Sequence, residues 1–126
     1  MTAKKTPSGW IGVDFDGTVS HYGEWAGDTH VGEPIPAMVD RIKAWIADGW
    51  EVRIVTARAG GRNRGEAIEA IRQWTRRHIG VALEVTNAKD FAMAVLYDDR
   101  AIQVEKNTGR VLGEEPEWLK NTGGAS

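Results

Sequence analysis

Trp-Ile-Gly-Val-Asp-Phe-Asp-Gly-Thr-Val, residues 10–19, is the stretch of this chain that decides its fold. Its first part is apolar and predicts a strand. A strand places residues i and i+2 on the same face, so Asp14 and Asp16 leave the sheet as a pair of parallel carboxylates. Gly17 then allows the chain to turn sharply away. The pair is expected at the carboxyl edge of the sheet, where open α/β folds bind their ligands.

Two like charges at one strand end repel each other unless a cation or a shared proton lies between them. A bound divalent metal is therefore the simplest explanation of the pair. A strand that merely ends in a polar turn is the alternative, because Asp and Gly are ordinary turn residues. A calcium loop of the EF-hand type is excluded, since it needs a glycine where Val19 stands and a glutamate where Trp25 stands.

Composition limits the chain to one domain in a soluble protein. Its 126 residues have room for a single core. An apolar content of 41% with 27% charged residues is typical of a globular chain rather than a disordered one. Cysteine is absent, which excludes disulfides and thiolate metal sites and favours a cytoplasmic location. We expect no signal peptide, no membrane span, and no global attraction to nucleic acid at a net charge of −2.

The pattern along the chain predicts alternating strands and helices. Apolar residues at helical spacing predict helices at 37–48 and 65–78, and further strands are expected at 51–56, 82–85, 92–97 and 101–104. Residues 20–32 are rich in glycine and predict an irregular loop over the aspartate pair. This order predicts an α/β fold, a three-layer α/β/α sandwich with a mainly parallel, Rossmann-like sheet. The domain is expected at 10–112, between a flexible leader at 1–9 and a flexible tail at 113–126.

Polar side chains that suit a metal or a phosphate follow several of the predicted strands. Asp14 and Asp16 follow the first strand, Thr56 ends the second, and the strand at 92–97 ends in Asp98 and Asp99. Lys89 lies just ahead of that last strand. Because the carboxyl ends of parallel strands share one edge of the sheet, the pattern predicts a single functional site there.

These motifs resemble those of the haloacid dehalogenase superfamily of phosphatases and phosphotransferases. That family carries an Asp-x-Asp-x-Thr strand end, a Ser or Thr strand end, a lysine and a closing acidic pair. The chain shows them in the same order, as Asp14-Phe15-Asp16-Gly17-Thr18-Val19, Ile54-Val55-Thr56, Lys89 and Leu96-Tyr97-Asp98-Asp99. The likeness spans about residues 10–104. One departure is that no further aspartate follows the acidic pair at the usual spacing, which leaves open whether Asp98 or Asp99 is the direct metal ligand.

The resemblance implies a chemical role for each acidic residue. Asp14 would attack a phosphoryl group and form an aspartyl-phosphate intermediate. Asp16 would act as general acid and then as general base. The resemblance also implies that Mg²⁺ is bound by the carboxylate of Asp14, the backbone carbonyl of Asp16, and Asp98 with Asp99, an all-oxygen site that suits magnesium.

The resemblance further implies which residues contact the phosphate. Thr56 would donate a hydrogen bond and Lys89 a positive charge to the transferring phosphoryl group. Other contacts to the substrate would come from Gly17, Thr18, Ala57 and Arg58. The alternatives are that Thr56 only caps a helix or loop and that Lys89 is a solvated surface lysine.

The predicted function is hydrolysis of a phosphomonoester by an Mg²⁺-dependent, capless phosphatase acting on a phosphorylated small molecule. Asp16 favours a phosphatase or a phosphomutase within the family, because dehalogenases lack it. Residues 20–32 are too few for a cap domain, so this loop, a second copy of the chain or a large substrate would have to cover the site. One alternative is a non-catalytic module that binds metal and phosphate. Another is a phosphatase for nucleic-acid ends, supported by Arg58, Arg62 and Arg64.

Overall fold

The structure, a computed structural model, describes residues 7–120. Four strands form the main sheet, namely β1 (Trp10–Asp14), β2 (Glu51–Val55), β3 (Glu84–Thr86) and β4 (Met93–Tyr97). The helices are α1 (Pro36–Ala47), α2 (Arg64–His78) and the single turn α3 (Glu117–Lys120), and Ala57–Gly60 forms a 3₁₀ turn. Two short strands, β5 (Gln103–Val104) and β6 (Val111–Leu112), complete the set. No helix within residues 7–120 has both the length and the apolar character needed to cross a bilayer.

The main sheet is parallel throughout and has the strand order β3-β2-β1-β4. The predicted α/β class and the mainly parallel sheet are therefore confirmed. β1 lies between β2 and β4, and Val13 pairs with Ile54 on one side and Tyr97 on the other. Since all four strands run in the same direction, their carboxyl ends meet at one edge of the sheet.

Helices α1 and α2 pack on the same face of the sheet. Ile42 of α1 and Ile71 of α2 are both fully buried, and they join Val13 and Ile54 in one apolar cluster. The chain moves from β1 to β2 to β3 in one direction across the sheet. Right-handed crossovers then place both connecting helices on the same side. The core of the protein therefore lies between this sheet face and the two helices.

The predicted three-layer sandwich is seen in part. Within the described residues, the parallel sheet and one helical layer are present. The return from β3 to β4 runs through residues 87–92, which contain no helix. A connection of this length crosses the sheet without a helix of its own, so the described residues place no second helical layer on the other face.

The segment after β4 differs from the prediction. The expected strand at 101–104 is shorter, and β5 pairs with β6 in an antiparallel hairpin outside the main sheet. Asn107 and Gly109 adopt positive φ in the turn of this hairpin, a turn chemistry that the sequence analysis did not use. The predicted tail contains α3. The outer parts of the predicted leader and tail, residues 1–6 and 121–126, lie outside the described residues.

Thr75 on α2 provides a test of the packing between this helix and the chain that follows it. Its side chain is fully buried, and its hydroxyl donates to the Arg72 carbonyl (2.8 Å) and accepts from the Leu83 N–H (3.0 Å). Thr75→Val keeps the shape but leaves a buried N–H unpaired, so we expect a loss of about 1–3 kcal/mol in the free energy of unfolding by urea titration. Thr75→Ser keeps the hydroxyl and is expected to lose less. A Ser variant less stable than the Val variant would contradict this account.

Candidate functional site

Three carboxylates meet at the carboxyl edge of the sheet. Asp14 is the last residue of β1, and Asp98 and Asp99 directly follow the neighbouring strand β4. Each of the three offers a carboxylate oxygen, and these atoms lie within 4.8 Å of one another. Asp14 and Asp98 are partly buried, whereas Asp99 is exposed. Oxygen donors at this spacing can share one hard divalent cation.

Gly17 and Thr18 hold the cluster together. Gly17 has φ +85°, which favours glycine, and a Cβ on it would lie 2.6 Å from Oδ2 of Asp99, so a larger residue would displace that carboxylate. The Thr18 hydroxyl lies 3.4 Å from Oδ2 of Asp14 and 3.2 Å from Oδ1 of Asp99, and it accepts the Asp99 N–H at 3.0 Å. The predicted substrate contacts Gly17 and Thr18 therefore shape the acidic cluster and do not line the pocket beside it.

The electrostatics of the cluster favour a cation. Burial raises the pKa of Asp14 to about 7, with further contributions from a hydrogen bond to Asp99 and from the negative charges of Asp98 and Asp99. The backbone N–H of Phe15 opposes this shift. No basic side chain forms a salt bridge with the cluster within the described residues. The donor set therefore fits a divalent metal ion, which would compensate the charge that the protein leaves unbalanced.

A pocket of about 580 Å³ opens beside the cluster. Its walls contain most of the predicted site residues, namely Asp14, Asp16, Thr56, Ala57, Arg58, Asp98 and Asp99. They also contain residues that were not predicted for the site, namely Tyr22, Trp25, Asp28, Val55, Gly61, Asn87 and Arg100. The volume exceeds that of a phosphate ion and is sufficient for a small organic molecule.

Thr56 both lines the pocket and caps the turn that follows β2. It is buried, its backbone N–H donates to the Thr86 carbonyl at 2.8 Å, and its hydroxyl oxygen accepts the Arg58 N–H at 3.3 Å. The capping alternative is therefore observed. The hydroxyl proton is not used in that bond, so Thr56 keeps a donor for a ligand in the pocket.

Asp16 and Arg58 form an ion pair at the wall of the pocket. Nε and Nη2 of Arg58 each lie 2.9 Å from a different carboxylate oxygen of Asp16, a bidentate arrangement. The carboxylate of Asp16 therefore faces Arg58 and stands apart from the cluster of three. Arg58 was expected to bind substrate phosphate. Its side chain is instead only 5% exposed, because Asp16 and backbone carbonyls accept its N–H groups.

Lys89, predicted to contact the phosphate, is exposed in this structure and is not among the residues that line the pocket. The reason lies in the return from β3 to β4. Asp90 accepts a hydrogen bond at 2.8 Å from the indole N–H of Trp10, the first residue of β1. By residue 90 the chain has therefore left the carboxyl edge of the sheet and reached the opposite edge. Lys89, one residue earlier, lies on this return.

Polar residues that the sequence analysis missed come from the same strand ends. Asn87 follows β3 directly, and Arg100 follows the acidic pair. The strand-end rule used for Asp14 would have indicated Asn87, but the short strand β3 was not expected to extend to Thr86. Arg62 and Arg64, which suggested nucleic acid, are exposed and lie outside the pocket walls.

Comparison with known proteins shows the fold and leaves the activity open. No family model matches the chain, and no curated protein matches it. Among solved structures, it is similar to a conserved protein of Bacteroides thetaiotaomicron, with 24% identical residues and a TM-score of 0.55. The alignment covers 89% of this chain and 84% of that chain. At this identity the likeness shows a shared α/β architecture alone.

Asp14 offers a test of the electrostatic strain in the cluster. Its pKa in the folded chain, about 7, lies above its ordinary value of 3.8, so in EDTA the free energy of unfolding should fall as pH rises from about 4 to about 7. Asp14→Asn removes this penalty. We expect it to raise the melting temperature by several degrees at pH 8 in EDTA and to have no such effect near pH 4. Asp40→Asn, an exposed change on α1, is the control, and an equal effect on both variants would contradict the assignment.

Proposed function

We propose that this protein is a metal-dependent phosphohydrolase of the haloacid dehalogenase type, which cleaves a phosphomonoester through an aspartyl-phosphate on Asp14. The observation that carries the proposal is the cluster of Asp14, Asp98 and Asp99 within 4.8 Å, at the mouth of a pocket that also contains Asp16 and Thr56. A nucleophile, an acid/base group and a hydrogen-bond donor beside a metal-binding cluster are the parts that phosphoryl transfer requires.

Asp14, Asp98 and Asp99 would hold Mg²⁺ through their carboxylates, and the backbone carbonyl of Asp16 is the further ligand that the family resemblance implies. Bound Mg²⁺ would neutralise negative charge on the phosphate and on the carboxylates. The all-oxygen donor set favours magnesium over metals that prefer nitrogen or sulfur. Oδ2 of Asp14 lies 3.4 Å from the Thr18 hydroxyl, and its other oxygen would attack the phosphorus atom.

The reaction would occur in two displacements. In the first, an oxygen of Asp14 forms a bond to phosphorus, the bond from phosphorus to the leaving oxygen breaks, and protonated Asp16 gives its proton to that oxygen. In the second, water attacks phosphorus and passes a proton to Asp16, and the bond from phosphorus to Asp14 breaks. Inorganic phosphate leaves, and both aspartates return to their starting states.

The pocket walls supply the remaining contacts. The Thr56 hydroxyl would donate to a phosphoryl oxygen. Lys89 does not line the pocket, and Arg100, an exposed cation in the wall directly after the acidic pair, would provide positive charge in its place. The exposed rings of Tyr22 and Trp25 would contact the organic part of a small phosphorylated substrate. A second copy of the chain that covers the open side of the site is compatible with this arrangement.

A non-catalytic binding module is the second candidate. It is favoured by the ion pair of Asp16 with Arg58, which engages the carboxylate that catalysis needs. A module of this kind would bind Mg²⁺ and phosphate through the same cluster without turnover. Arg62 and Arg64 are exposed and lie outside the pocket walls. A nucleic-acid end is therefore a less favoured substrate than a small phosphorylated molecule, and it belongs in the panel of substrates to be tested.

Hydrolysis of nitrophenyl phosphate tests the proposed activity. We expect phosphate release that requires Mg²⁺, and a loss of at least about a thousandfold in kcat for Asp14→Asn, because the nucleophile is removed. Asp40→Asn should retain wild-type turnover. A folded wild type that binds Mg²⁺ and phosphate tightly but releases no phosphate from an aryl or alkyl ester panel would favour the binding module.

Metal affinity tests the role of the acidic pair separately from activity. Titration calorimetry with Mn²⁺ should show one site, and Asp98→Asn should weaken binding by at least about tenfold, because one charged oxygen ligand is lost. Asp99→Asn should show which member of the pair contributes more. Asp28→Asn, a change in the pocket wall away from the cluster, is the matched control. Equal affinities in all four proteins would exclude the cluster as the metal site.

A further inference from the structure

Arg58 connects two parts of the pocket and is itself almost fully buried. It lies in the 3₁₀ turn directly after β2, and its side chain is 5% exposed. A buried guanidinium is costly unless acceptors meet its N–H groups. The acceptors come from Asp16 on one side and from the loop at residues 20–32, here called the pocket loop, on the other.

On the side of Asp16, the guanidinium fixes the whole carboxylate. Nε lies 2.9 Å from Oδ2 and Nη2 lies 2.9 Å from Oδ1. Two parallel charge-assisted bonds set the plane of the carboxylate as well as its position. Asp16 therefore has one orientation in the pocket wall, although a quarter of its side chain is exposed.

On the other side, Arg58 holds the tip of the pocket loop. Nη1 donates to the backbone carbonyls of Gly27 (3.1 Å), Asp28 (2.8 Å) and His30 (2.7 Å). The guanidinium carbon also lies 4.9 Å from the centre of the Trp25 ring, within the range of a cation–π contact. Arg58 thus makes three of the hydrogen bonds that hold the tip of the pocket loop.

The neck of the pocket loop is held without Arg58. The Gly32 N–H donates to the buried Ser20 hydroxyl at 2.9 Å, and the His21 N–H donates to the Glu33 carbonyl at 2.8 Å. The indole N–H of Trp74 donates to the Gly32 carbonyl at 2.8 Å. The loop therefore has a neck fixed to the core and a tip that depends on Arg58, with one further bond at 2.8 Å from the Asn63 amide to Asp28.

We propose that Arg58 is a positioning residue. Its guanidinium orients Asp16 for proton transfer and also holds the tip of the pocket loop. The catalytic part rests on the proposed function. When the bond from phosphorus to the leaving oxygen breaks and Asp16 gives up its proton, negative charge forms on Asp16 against the Arg58 guanidinium, which stabilises it. Arg58 acts through Asp16 and not through the substrate.

The dependence of rate on the leaving group tests the catalytic part. Arg58→Lys keeps the charge but cannot bond both Asp16 oxygens and the loop carbonyls. We expect kcat/KM, which reports the first displacement alone, to fall about a hundredfold with an alkyl phosphate, whose leaving oxygen needs the proton, and by less than about threefold with dinitrophenyl phosphate, whose leaving oxygen does not. Equal losses with the two substrates, or no loss with either, would overturn the assignment.

Two further variants separate positioning from a general structural role. Arg58→Gln, which can donate to Asp16 without a charge, should show the same substrate dependence if Arg58→Lys fails to fold. Asn63→Ala removes only the bond to Asp28 at the loop tip and does not change a pocket-wall residue. It should leave the ratio of the two rates as in wild type. If the ratio of the rates with the two esters changes as much in Asn63→Ala as in Arg58→Lys, the order of the loop alone controls the rate, and the positioning role of Arg58 is contradicted.

Hydrogen exchange tests the loop part without any turnover. In Arg58→Lys, the His30 amide, which donates to the Gly27 carbonyl at 3.2 Å, should exchange at least about tenfold faster than in wild type, because Arg58 no longer holds the tip. The His21 and Gly32 amides of the neck should keep their protection. Unchanged exchange at the tip would overturn the loop assignment. A wild type that hydrolyses neither ester would refute the proposed function and the catalytic role of Arg58, and the exchange result would still decide its role in the loop.

Discussion

Repulsion among three carboxylates at the edge between β1 and β4 is the constraint on which the rest of this structure depends. Parallel pairing of two neighbouring strands brings Asp14 together with Asp98 and Asp99. Burial raises the pKa of Asp14, and the hydrogen bond to Asp99 and the negative charges of Asp98 and Asp99 raise it further. A site that destabilises the free protein is typical of functional centres, where a ligand restores the balance. The proposed magnesium site and the proposed nucleophile are two consequences of the same geometry.

Residues next to the cluster keep its three carboxylates close to one another. Gly17 leaves room for Asp99, and Thr18 bridges the two strand ends through its hydroxyl. Opposite them, Arg58 binds Asp16 and thereby keeps the fourth carboxylate apart from the other three. The charges of the pocket are thus divided into an unbalanced group, Asp14 with Asp98 and Asp99, and an ion pair, Asp16 with Arg58.

Local signals were sufficient for much of the fold and of the site. The apolar run that ends in Asp14 and the apolar stripe that includes Ile71 predicted a central strand and a core helix, because burial of one face dictates the pattern. Lys89 could not be placed in the same way. Its position depends on the bond between Asp90 and Trp10, a contact between residues 80 apart in the chain that no local pattern encodes. The partnership of Arg58 with Asp16 is equally non-local, and sequence alone indicated a phosphate ligand instead.

The central claim, that Asp14 becomes covalently phosphorylated, is tested most directly by trapping the intermediate. The protein would be mixed with Mg²⁺ and an isotopically labelled phosphate ester, quenched in acid during turnover, digested and mapped by mass spectrometry. We expect a labelled phosphoryl group on the peptide that contains Asp14, and no label in Asp14→Asn. Steady turnover with the label on another residue, or with none on the protein, would contradict the claim.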